Sequence, residues 1–281
     1  MKSVLCLGLT PTLQRTLVFD RLEMDEVNRA RQVVESAGGK ALNAARALVA
    51  LGTPTQVAGF NGGDTGRRVT AYLSAYGVDA RTLTTTKAPT RICTTLIDRA
   101  GGTVTELVEE APAPGVAALR RFMRDTLRRT AEAAMLVICG TLPPYADDTF
   151  YVPFVRAAAE AGVPVVIDSH RQALVNVLAE RPLLVKLNVR ELETTLGEQL
   201  ASEQRVVRGM REMLARGARN VFVTQGGKAA YLVTPRDAWR FTPPEIKQRV
   251  NPIGSGDSAT AGIAHALVTG KPMTRAVALG L

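Results

Sequence analysis

The second half of the chain alternates short apolar runs with longer amphipathic stretches. The apolar runs have the length of buried strands, and the amphipathic stretches have the period of helices. Because strands that alternate with helices lie parallel and are covered on both faces, this rhythm predicts a doubly covered parallel sheet. The strands are predicted at residues 135–139, 163–167, 183–187 and 221–224, and the helices at residues 149–161, 171–180 and 204–216.

The first half of the chain adds one buried strand, one helix and two less regular segments. Residues 4–9 are an apolar run of strand length, and residues 41–51 are an apolar, alanine-rich helix. The segments 16–34 and 90–107 alternate short β-like stretches with polar residues, and we expect them to pair as a small separate sheet. The chain is therefore predicted to be one large α/β unit that carries a small second sheet.

The composition is that of a globular protein, since 46% of the 281 residues are hydrophobic and 22% are charged. No apolar stretch reaches the length of a membrane span, and the first residues lack the pattern of a secretion signal, so we expect a cytoplasmic protein without a membrane partner. Three cysteines, Cys6, Cys93 and Cys139, stand apart without a C-x-x-C pair, which argues against a zinc site or a disulfide framework.

The formal net charge of +9 favours acidic partners, either nucleic acid or small phosphorylated molecules. Basic clusters such as those at 120–121 and 128–129 recur at helical spacing and could equally form a solvated helix face. Aromatic residues make up 5% of the chain and are not interleaved with these clusters, so the stacking surfaces of single-strand binders are missing. We therefore expect no nucleic acid partner.

A glycine-rich turn, Gly254-Ser255-Gly256, is followed by Asp257 and an apolar helical run at 259–268. Such a turn aims backbone N–H groups and the positive end of the helix dipole at one point, where an anion is stabilised. A carboxylate at that point could accept a proton from an attacking hydroxyl while the amides hold a phosphoryl group. The alternative is that Asp257 is simply the N-cap of a core helix.

A second glycine-rich helix entrance is formed by Gly38, Gly39 and Lys40, which lead into the helix at 41–51. This arrangement suits a phosphate or sugar hydroxyls, with Lys40 as a point charge and Asn43 as a donor and acceptor one turn later. The chain contains no Walker A sequence. An ordinary loop is the alternative.

Two further motifs follow predicted strands. Asn188 and Glu191 are three residues apart after a buried strand and could orient Mg²⁺ through its water shell, although the same spacing is that of a capping box. The turn at 224–228 would let a nucleotide approach the backbone closely, although it could also be a simple β-hairpin.

Taken in chain order, these four motifs resemble those of the PfkB, or ribokinase-like, family of carbohydrate kinases, and the resemblance extends over essentially the whole chain. Three further segments are similar to the branch that includes 1-phosphofructokinase and tagatose-6-phosphate kinase: residues 10–13, 26–29 and 90–91. The resemblance implies a three-layer α/β/α fold with a mostly parallel central sheet and a small β-sheet lid. It also implies a single domain over residues 1–281, lid segments near 12–35 and 88–108, and a homodimer that forms through the lid.

The resemblance also implies roles for individual residues. Asp257 would be the catalytic base, and the anion hole would be formed by the amides of Gly254, Ser255 and Gly256. The ATP phosphates and the hydrated Mg²⁺ would be met by Lys186, Asn188 and Glu191, and the rest of the nucleotide by Thr224, Gly226 and Gly227. The acceptor hydroxyls would be bound by Gln14, Gly38, Gly39, Lys40 and Asn43, and a phosphate already on the acceptor by Arg29 and Arg91.

Three positions depart from the family pattern, and all lie on the acceptor side. Gln14 stands where the family has an aspartate, Ala41 follows Lys40 where the family has glycine, and Tyr145 replaces the last glycine of a Gly-Ser-Leu-Pro-Pro-Gly segment. Gln14 still hydrogen-bonds hydroxyls, but without the charge.

The resemblance therefore predicts an ATP- and Mg²⁺-dependent kinase that transfers the γ-phosphoryl group to a hydroxyl of a ketohexose phosphate. Fructose 1-phosphate, tagatose 6-phosphate and fructose 6-phosphate are the expected acceptors. Two alternatives remain open: a kinase of an unphosphorylated sugar or a nucleoside, and a catalytically weak sensor of sugar phosphates.

Overall fold

A computed structural model describes residues 2–246 and 253–281. In chain order the strands are β1 (Val4–Leu7), β2 (Thr12–Phe19), β3 (Gln32–Gly38), β4 (Thr55–Ala58), β5 (Phe60–Gly62), β6 (Thr84–Thr86), β7 (Arg91–Asp98), β8 (Thr103–Val108), β9 (Met135–Cys139), β10 (Val165–Asp168), β11 (Leu184–Asn188), β12 (Val221–Thr224), β13 (Ala230–Val233) and β14 (Ala238–Phe241). The helices are α1 (Lys40–Ala50), α2 (Gly63–Ala75), α3 (Val116–Glu132), α4 (Val152–Glu160), α5 (Arg171–Val177), α6 (Val189–Leu196), α7 (Glu203–Ala215), α8 (Ser255–Val268) and α9 (Met273–Leu279).

The central sheet contains eight of these strands in the order β14-β13-β12-β11-β10-β9-β1-β4. The pairs from β4 to β12 are all parallel, whereas β13 and β14 are antiparallel to their neighbours. This confirms the predicted, mostly parallel sheet. Because β10, β11 and β12 run side by side, their carboxyl ends lie at one edge of the sheet.

Helices cover both faces of the central sheet and form one hydrophobic cluster on each side. One cluster includes Phe122 of α3, Phe154 of α4 and Met210 of α7, and all three side chains are fully buried. The other includes Leu42 of α1 and Ile263 of α8. Strands β9, β10 and β11 contribute to both clusters because successive side chains of a strand point to opposite faces of the sheet. The α/β/α layering is therefore as predicted.

The small sheet has the order β3-β2-β7-β8. Its central pair, β2 with β7, is parallel, while both outer pairs are antiparallel. These four strands come from the two segments expected to form a lid, with a connection between Phe19 and Gln32 that contains no strand. Strands β5 and β6 form a separate two-stranded sheet.

The boundaries of several elements differ from the sequence-based prediction. The strand expected at 4–9 ends at Leu7, and the helix expected at 149–161 begins at Val152. Helix α2 was not predicted, because it contains Thr65, Gly66 and Thr70, which are weak helix formers. Its Val69 and Leu73 are nevertheless fully buried, so tertiary packing stabilises it.

Candidate active site

The turn before α8 has the geometry of an anion hole. Gly254 is the N-cap and has a φ of 86°, a left-handed conformation that favours glycine. Ser255, Gly256 and Asp257 form the first helical turn, where backbone N–H groups have no partner within the helix. The neighbouring Asn251 and Pro252 lie outside the described residues.

Asp257 is held in this turn by a residue from a distant part of the chain. Its Oδ2 accepts a hydrogen bond of 2.8 Å from Nδ2 of Asn43, in the first turn of α1. Only 6% of Asp257 is exposed, and burial raises the pKa of its carboxyl group, while the Asn43 bond acts in the opposite direction. The interpretation of Asp257 as an N-cap is wrong, because Gly254 occupies that position and no side chain caps the helix.

Asp168 lies at the centre of a buried network of charges that the sequence analysis did not find. It ends β10, and its Oδ2 accepts hydrogen bonds from Lys186 Nζ at 2.6 Å and from Thr260 Oγ1 at 2.9 Å. Burial alone would raise the pKa of Asp168, but the charges of Lys186 and Lys40 outweigh it and lower the pKa. The one signal available in the sequence was an acidic residue at the carboxyl end of a buried parallel strand.

Lys40 points to the nucleotide side of the predicted site. Its Nζ lies 3.1 Å from Glu191 Oε1 and 3.5 Å from Asp168 Oδ1. Burial would lower the pKa of Lys40, but the two carboxylates outweigh it and raise the pKa. The structure thus places the ammonium group of this lysine between two carboxylates.

Asn188 and Glu191 form a reciprocal capping box at the start of α6. Asn188 Oδ1 accepts from the Glu191 backbone N–H at 2.9 Å, and Glu191 Oε2 accepts from the Asn188 N–H at 2.8 Å. The capping box that was the alternative interpretation is therefore formed. Its two hydrogen bonds do not involve Glu191 Oε1 or the amide NH₂ group of Asn188.

The turn at 224–227 lies next to Asn188. Thr224 pairs with Asn188 across β11 and β12, and its Oγ1 donates to the Leu187 carbonyl at 3.5 Å. Gly226 has a φ of 58°, and Gly227 is exposed. Because β13 returns antiparallel to β12, this turn is also the hairpin that was the alternative interpretation.

The glycines at the start of α1 are required by close contacts. A Cβ at Gly38 would lie 2.8 Å from the Cβ of Gln14, and a Cβ at Gly39, whose φ is 100°, would lie 2.7 Å from the Thr10 carbonyl oxygen. Gln14 Nε2 donates to Thr95 Oγ1 at 2.9 Å. The structure therefore brings Gln14, Gly38 and Gly39 together beside the helix that carries Asn43.

The two arginines predicted to bind a phosphate differ in their surroundings. Arg91 begins β7, and its two Nη groups donate to the carbonyl oxygens of Glu109 at 2.8 Å and Thr10 at 3.1 Å. Arg29 is exposed between β2 and β3, and no hydrogen bond or ion pair joins it to another residue within 2–246 or 253–281. Arg91 is therefore held by backbone carbonyls, whereas the Arg29 side chain has no partner in the described part of the chain.

Residues 1–281 match the family described as "pfkB family carbohydrate kinase". The chain belongs to the pfkB family. The prediction of a carbohydrate kinase, a phosphotransferase with an alcohol acceptor, is confirmed at this level.

Individual relatives support the same assignment. The tagatose-6-phosphate kinase of Staphylococcus epidermidis is 29% identical over 268 residues, which is 94% of this chain and 85% of that protein. The phosphofructokinase-2 of Escherichia coli in complex with fructose-6-phosphate has a TM-score of 0.90 and 26% identity, and the alignment covers 100% of this chain and 91% of that one. Its tetrameric inhibited form also has a TM-score of 0.90, with coverage of 100% and 92%.

Two further findings concern membranes and metals. In the part of the chain that the structure describes, no helix is both long and apolar enough to span a membrane. Within the same residues, no group of three or more His, Cys, Asp or Glu side chains is placed to hold a metal ion.

Proposed function

We propose that this pfkB-family protein is an ATP- and Mg²⁺-dependent kinase that phosphorylates a hydroxyl of a ketohexose phosphate. The observation that carries the proposal is the position of Asp257. It is a buried carboxylate in the first turn of α8, fixed by Asn43, directly beside the backbone amides of a glycine-rich helix entrance. A base and an anion hole in one turn are what phosphoryl transfer to an alcohol requires.

In this proposal Asp257 accepts the proton of the attacking hydroxyl. Asn43 holds Oδ2, so that Oδ1 is available for that proton. Burial raises the pKa of the carboxyl group and makes it a stronger base than an exposed aspartate. The amides of Gly254, Ser255 and Gly256 hold the transferring phosphoryl group, since they are already oriented before the reaction.

The donor set on the nucleotide side suits a hydrated divalent cation. Glu191 Oε1 and Asp168 Oδ1 both face the ammonium group of Lys40, so this location already stabilises positive charge. Mg²⁺ keeps several waters and is held by one or two carboxylates together with substrate phosphates. Glu191 and Asn188 would hold the hydrated ion, which would neutralise charge on the phosphates of ATP. Lys186 would contact those phosphates, since its Nζ lies 3.0 Å from the position of a Cβ at Gly256.

The acceptor is proposed to be a phosphorylated ketohexose for two reasons. The chain carries a net charge of +9, and Arg91 adjoins the Thr10 carbonyl near Gly39. In addition, the relatives named above act on or bind tagatose-6-phosphate and fructose-6-phosphate. Gln14, Gly38, Gly39 and Asn43 would contact the hydroxyl groups of the sugar.

One observation favours an unphosphorylated acceptor as a second candidate. Both Nη groups of Arg91 already donate to backbone carbonyls, and Arg29 is exposed. A kinase of a free sugar or a nucleoside would not need either arginine. The sensor alternative is less favoured, because Asp257 and its partner Asn43 are both present and in contact.

We also propose a homodimer that forms through the small sheet. Its two edge strands expose apolar side chains, namely Val33, Val34, Leu107 and Val108. Arg29 lies three residues before the edge strand β3, so a second copy that covered this edge would come close to it. Light scattering at micromolar concentration tests this proposal. A dimer that dissociates in Leu107→Asp supports it, and a wild-type monomer contradicts it.

The kinase is proposed to work in the cytoplasm, where ATP is abundant.

The main proposal is tested by measuring ADP release with Mg²⁺-ATP and a panel of acceptors. The panel contains fructose 1-phosphate, fructose 6-phosphate, tagatose 6-phosphate, free hexoses and nucleosides. Turnover confined to a phosphorylated ketohexose and lost in Asp257→Asn supports it. Turnover of free sugars alone, unchanged in Arg91→Ala, would establish the second candidate. Binding of sugar phosphates without turnover of any acceptor would favour the sensor.

A further inference from the structure

A cavity lies where the small sheet meets the central sheet. Among its lining residues are Leu9, Pro11, Phe60, Thr90, Arg91 and Tyr145. Tyr145 comes from the loop between β9 and α4, and its ring packs edge-on against Phe60 with the centroids 6.4 Å apart. The side chain therefore forms one wall of the cavity.

This cavity adjoins the proposed acceptor site. Pro11 also borders a narrow crevice whose other lining residues include Thr10 and Gly39. Arg91 Nη2, in the cavity, donates to the Thr10 carbonyl at 3.1 Å, which joins the crevice to the cavity. An acceptor bound beside Gly39 would thus extend its far end toward Arg91 and Tyr145.

The chemistry of the first cavity suits an anion. None of its lining residues is acidic, and the apolar members leave Arg91 as its charged group. The Nε of Arg91 is buried and has no hydrogen-bond partner within the described residues. An unpartnered buried donor is costly, and an anionic ligand would satisfy it.

The hydroxyl of Tyr145 is a second donor in the same cavity. Its Oη lies 3.4 Å from the Leu9 carbonyl oxygen, which is a long and therefore weak hydrogen bond. Burial raises the pKa of Tyr145 to about 12, although the charge of Arg91 acts against this rise. The hydroxyl is therefore protonated at neutral pH and can donate to an anion.

We propose that Tyr145 is a specificity-determining residue of the acceptor site: its hydroxyl donates, together with Arg91, to the phosphate on the acceptor, and its ring closes the far end of the pocket. This inference rests on the proposed function, because it names the residue that selects a phosphorylated over an unphosphorylated sugar. It assigns a role to the tyrosine at which this chain departs from the family pattern.

The test compares Tyr145→Phe with a matched control, Tyr151→Phe. Tyr151 also places its Oη 3.4 Å from a backbone carbonyl, that of Gly140, but it is fully buried and does not line the cavity. For the phosphorylated ketohexose that the wild type turns over best, Tyr145→Phe should raise KM about tenfold, the loss expected for one hydrogen bond to a charged group. The kcat, the KM for ATP and the KM for free fructose should stay within about twofold of the wild type. Tyr151→Phe should keep the wild-type ratio of kcat/KM between phosphorylated and free sugar.

An unchanged KM in Tyr145→Phe, or an equal loss for phosphorylated and free sugar, would overturn the inference. Calorimetry separates a wrong role for Tyr145 from a wrong proposal of kinase activity. If the wild type turns over no phosphorylated ketohexose, fructose 6-phosphate binding is measured directly. Binding that weakens about tenfold in Tyr145→Phe but not in Tyr151→Phe supports the role of Tyr145. Absence of binding to the wild type rejects it.

Discussion

Lys40 Nζ lies 3.1 Å from Glu191 Oε1, so the first residue of α1 contacts the first turn of α6. One turn later on α1, Asn43 contacts Asp257 at the start of α8. A single helical turn therefore joins the residues proposed for the nucleotide to the residue proposed as base. A displacement of α1 would disturb both at once.

The first prediction is that Lys40→Met affects the nucleotide side and not acceptor binding. Removal of the ammonium takes a positive charge away from the place proposed for the ATP phosphates, so kcat or the affinity for ATP should fall on the order of 100-fold. The KM for the sugar should change less than about threefold. Steady-state kinetics with each substrate varied in turn measures the split.

Lys271→Met provides the control, because Lys271 is exposed beyond the end of α8. It should behave as the wild type in both titrations. If Lys40→Met instead raised the KM for the sugar and left the Mg²⁺-ATP dependence unchanged, the original expectation that Lys40 binds acceptor hydroxyls would be correct.

A second prediction concerns Asp257→Asn. Without the base, kcat should fall about 1,000-fold, whereas the acceptor should still bind because the amide keeps the size of the side chain and a partner for Asn43. Single-turnover ADP release and calorimetric binding of fructose 6-phosphate measure the two quantities. Asp148→Asn, at an exposed position, should leave both unchanged. Retention of more than about a tenth of the activity by Asp257→Asn would show that this carboxylate is not the base.

Local motifs and long-range contacts differed in how well they could be predicted. The turn before α8 and the capping box at Asn188 are short segments whose geometry follows from residues a few positions apart, so the sequence predicted them. Asp168 was missed because its partners Lys186, Thr260 and Lys40 lie 18, 92 and 128 residues away in the chain. The side-chain direction of Lys40 could not be predicted for the same reason, because its partner Glu191 lies 151 residues away in the chain.

The pH dependence of activity gives a third prediction. The base must be unprotonated to accept a proton, and burial raises the pKa of Asp257 above that of an exposed aspartate. The value of kcat/KM should therefore fall on acidification at a higher pH than that at which an exposed aspartate titrates. Asn43→Ala removes the hydrogen bond that stabilises the charged form, so its acidic limb should move to still higher pH. An acidic limb at the same pH in both proteins would contradict the assignment of the limb to Asp257.

The raised pKa of Asp257 should also make the stability of the fold depend on pH. A raised carboxyl pKa means that the folded state holds the proton more tightly than the unfolded state. Asp257 therefore destabilises the fold increasingly as pH rises from the pKa of an unfolded aspartate to the raised folded-state pKa. Asp257→Asn removes this cost. Urea unfolding at neutral pH should therefore show a higher midpoint in the variant than in the wild type, and the two midpoints should converge at acidic pH.

The last prediction concerns the buried pair of Asp168 and Lys186, whose charged atoms are 2.6 Å apart and whose side chains are 1% and 5% exposed. Asp168→Asn leaves the Lys186 ammonium buried without its main counterion, and Lys186→Met leaves the carboxylate with Lys40 as its nearest cation. Each single variant should lower the free energy of unfolding by about 3–5 kcal/mol. The double variant should lose about 1–3 kcal/mol less than the two losses added, because neither charge is then left unpaired.

Urea unfolding at pH 7 measures all four proteins, and the exposed pair of Glu198 and Arg208, at 2.8 Å, is the control. Glu198→Gln should change the free energy of unfolding by less than about 1 kcal/mol, because exposed ion pairs are screened by water. On acidification the contribution of Asp168 should be present above the pKa of an unfolded aspartate and be lost only as pH falls through its lowered folded-state pKa. Additive losses in the cycle would contradict the prediction, because they would mean that neither charge depends on the other for its burial.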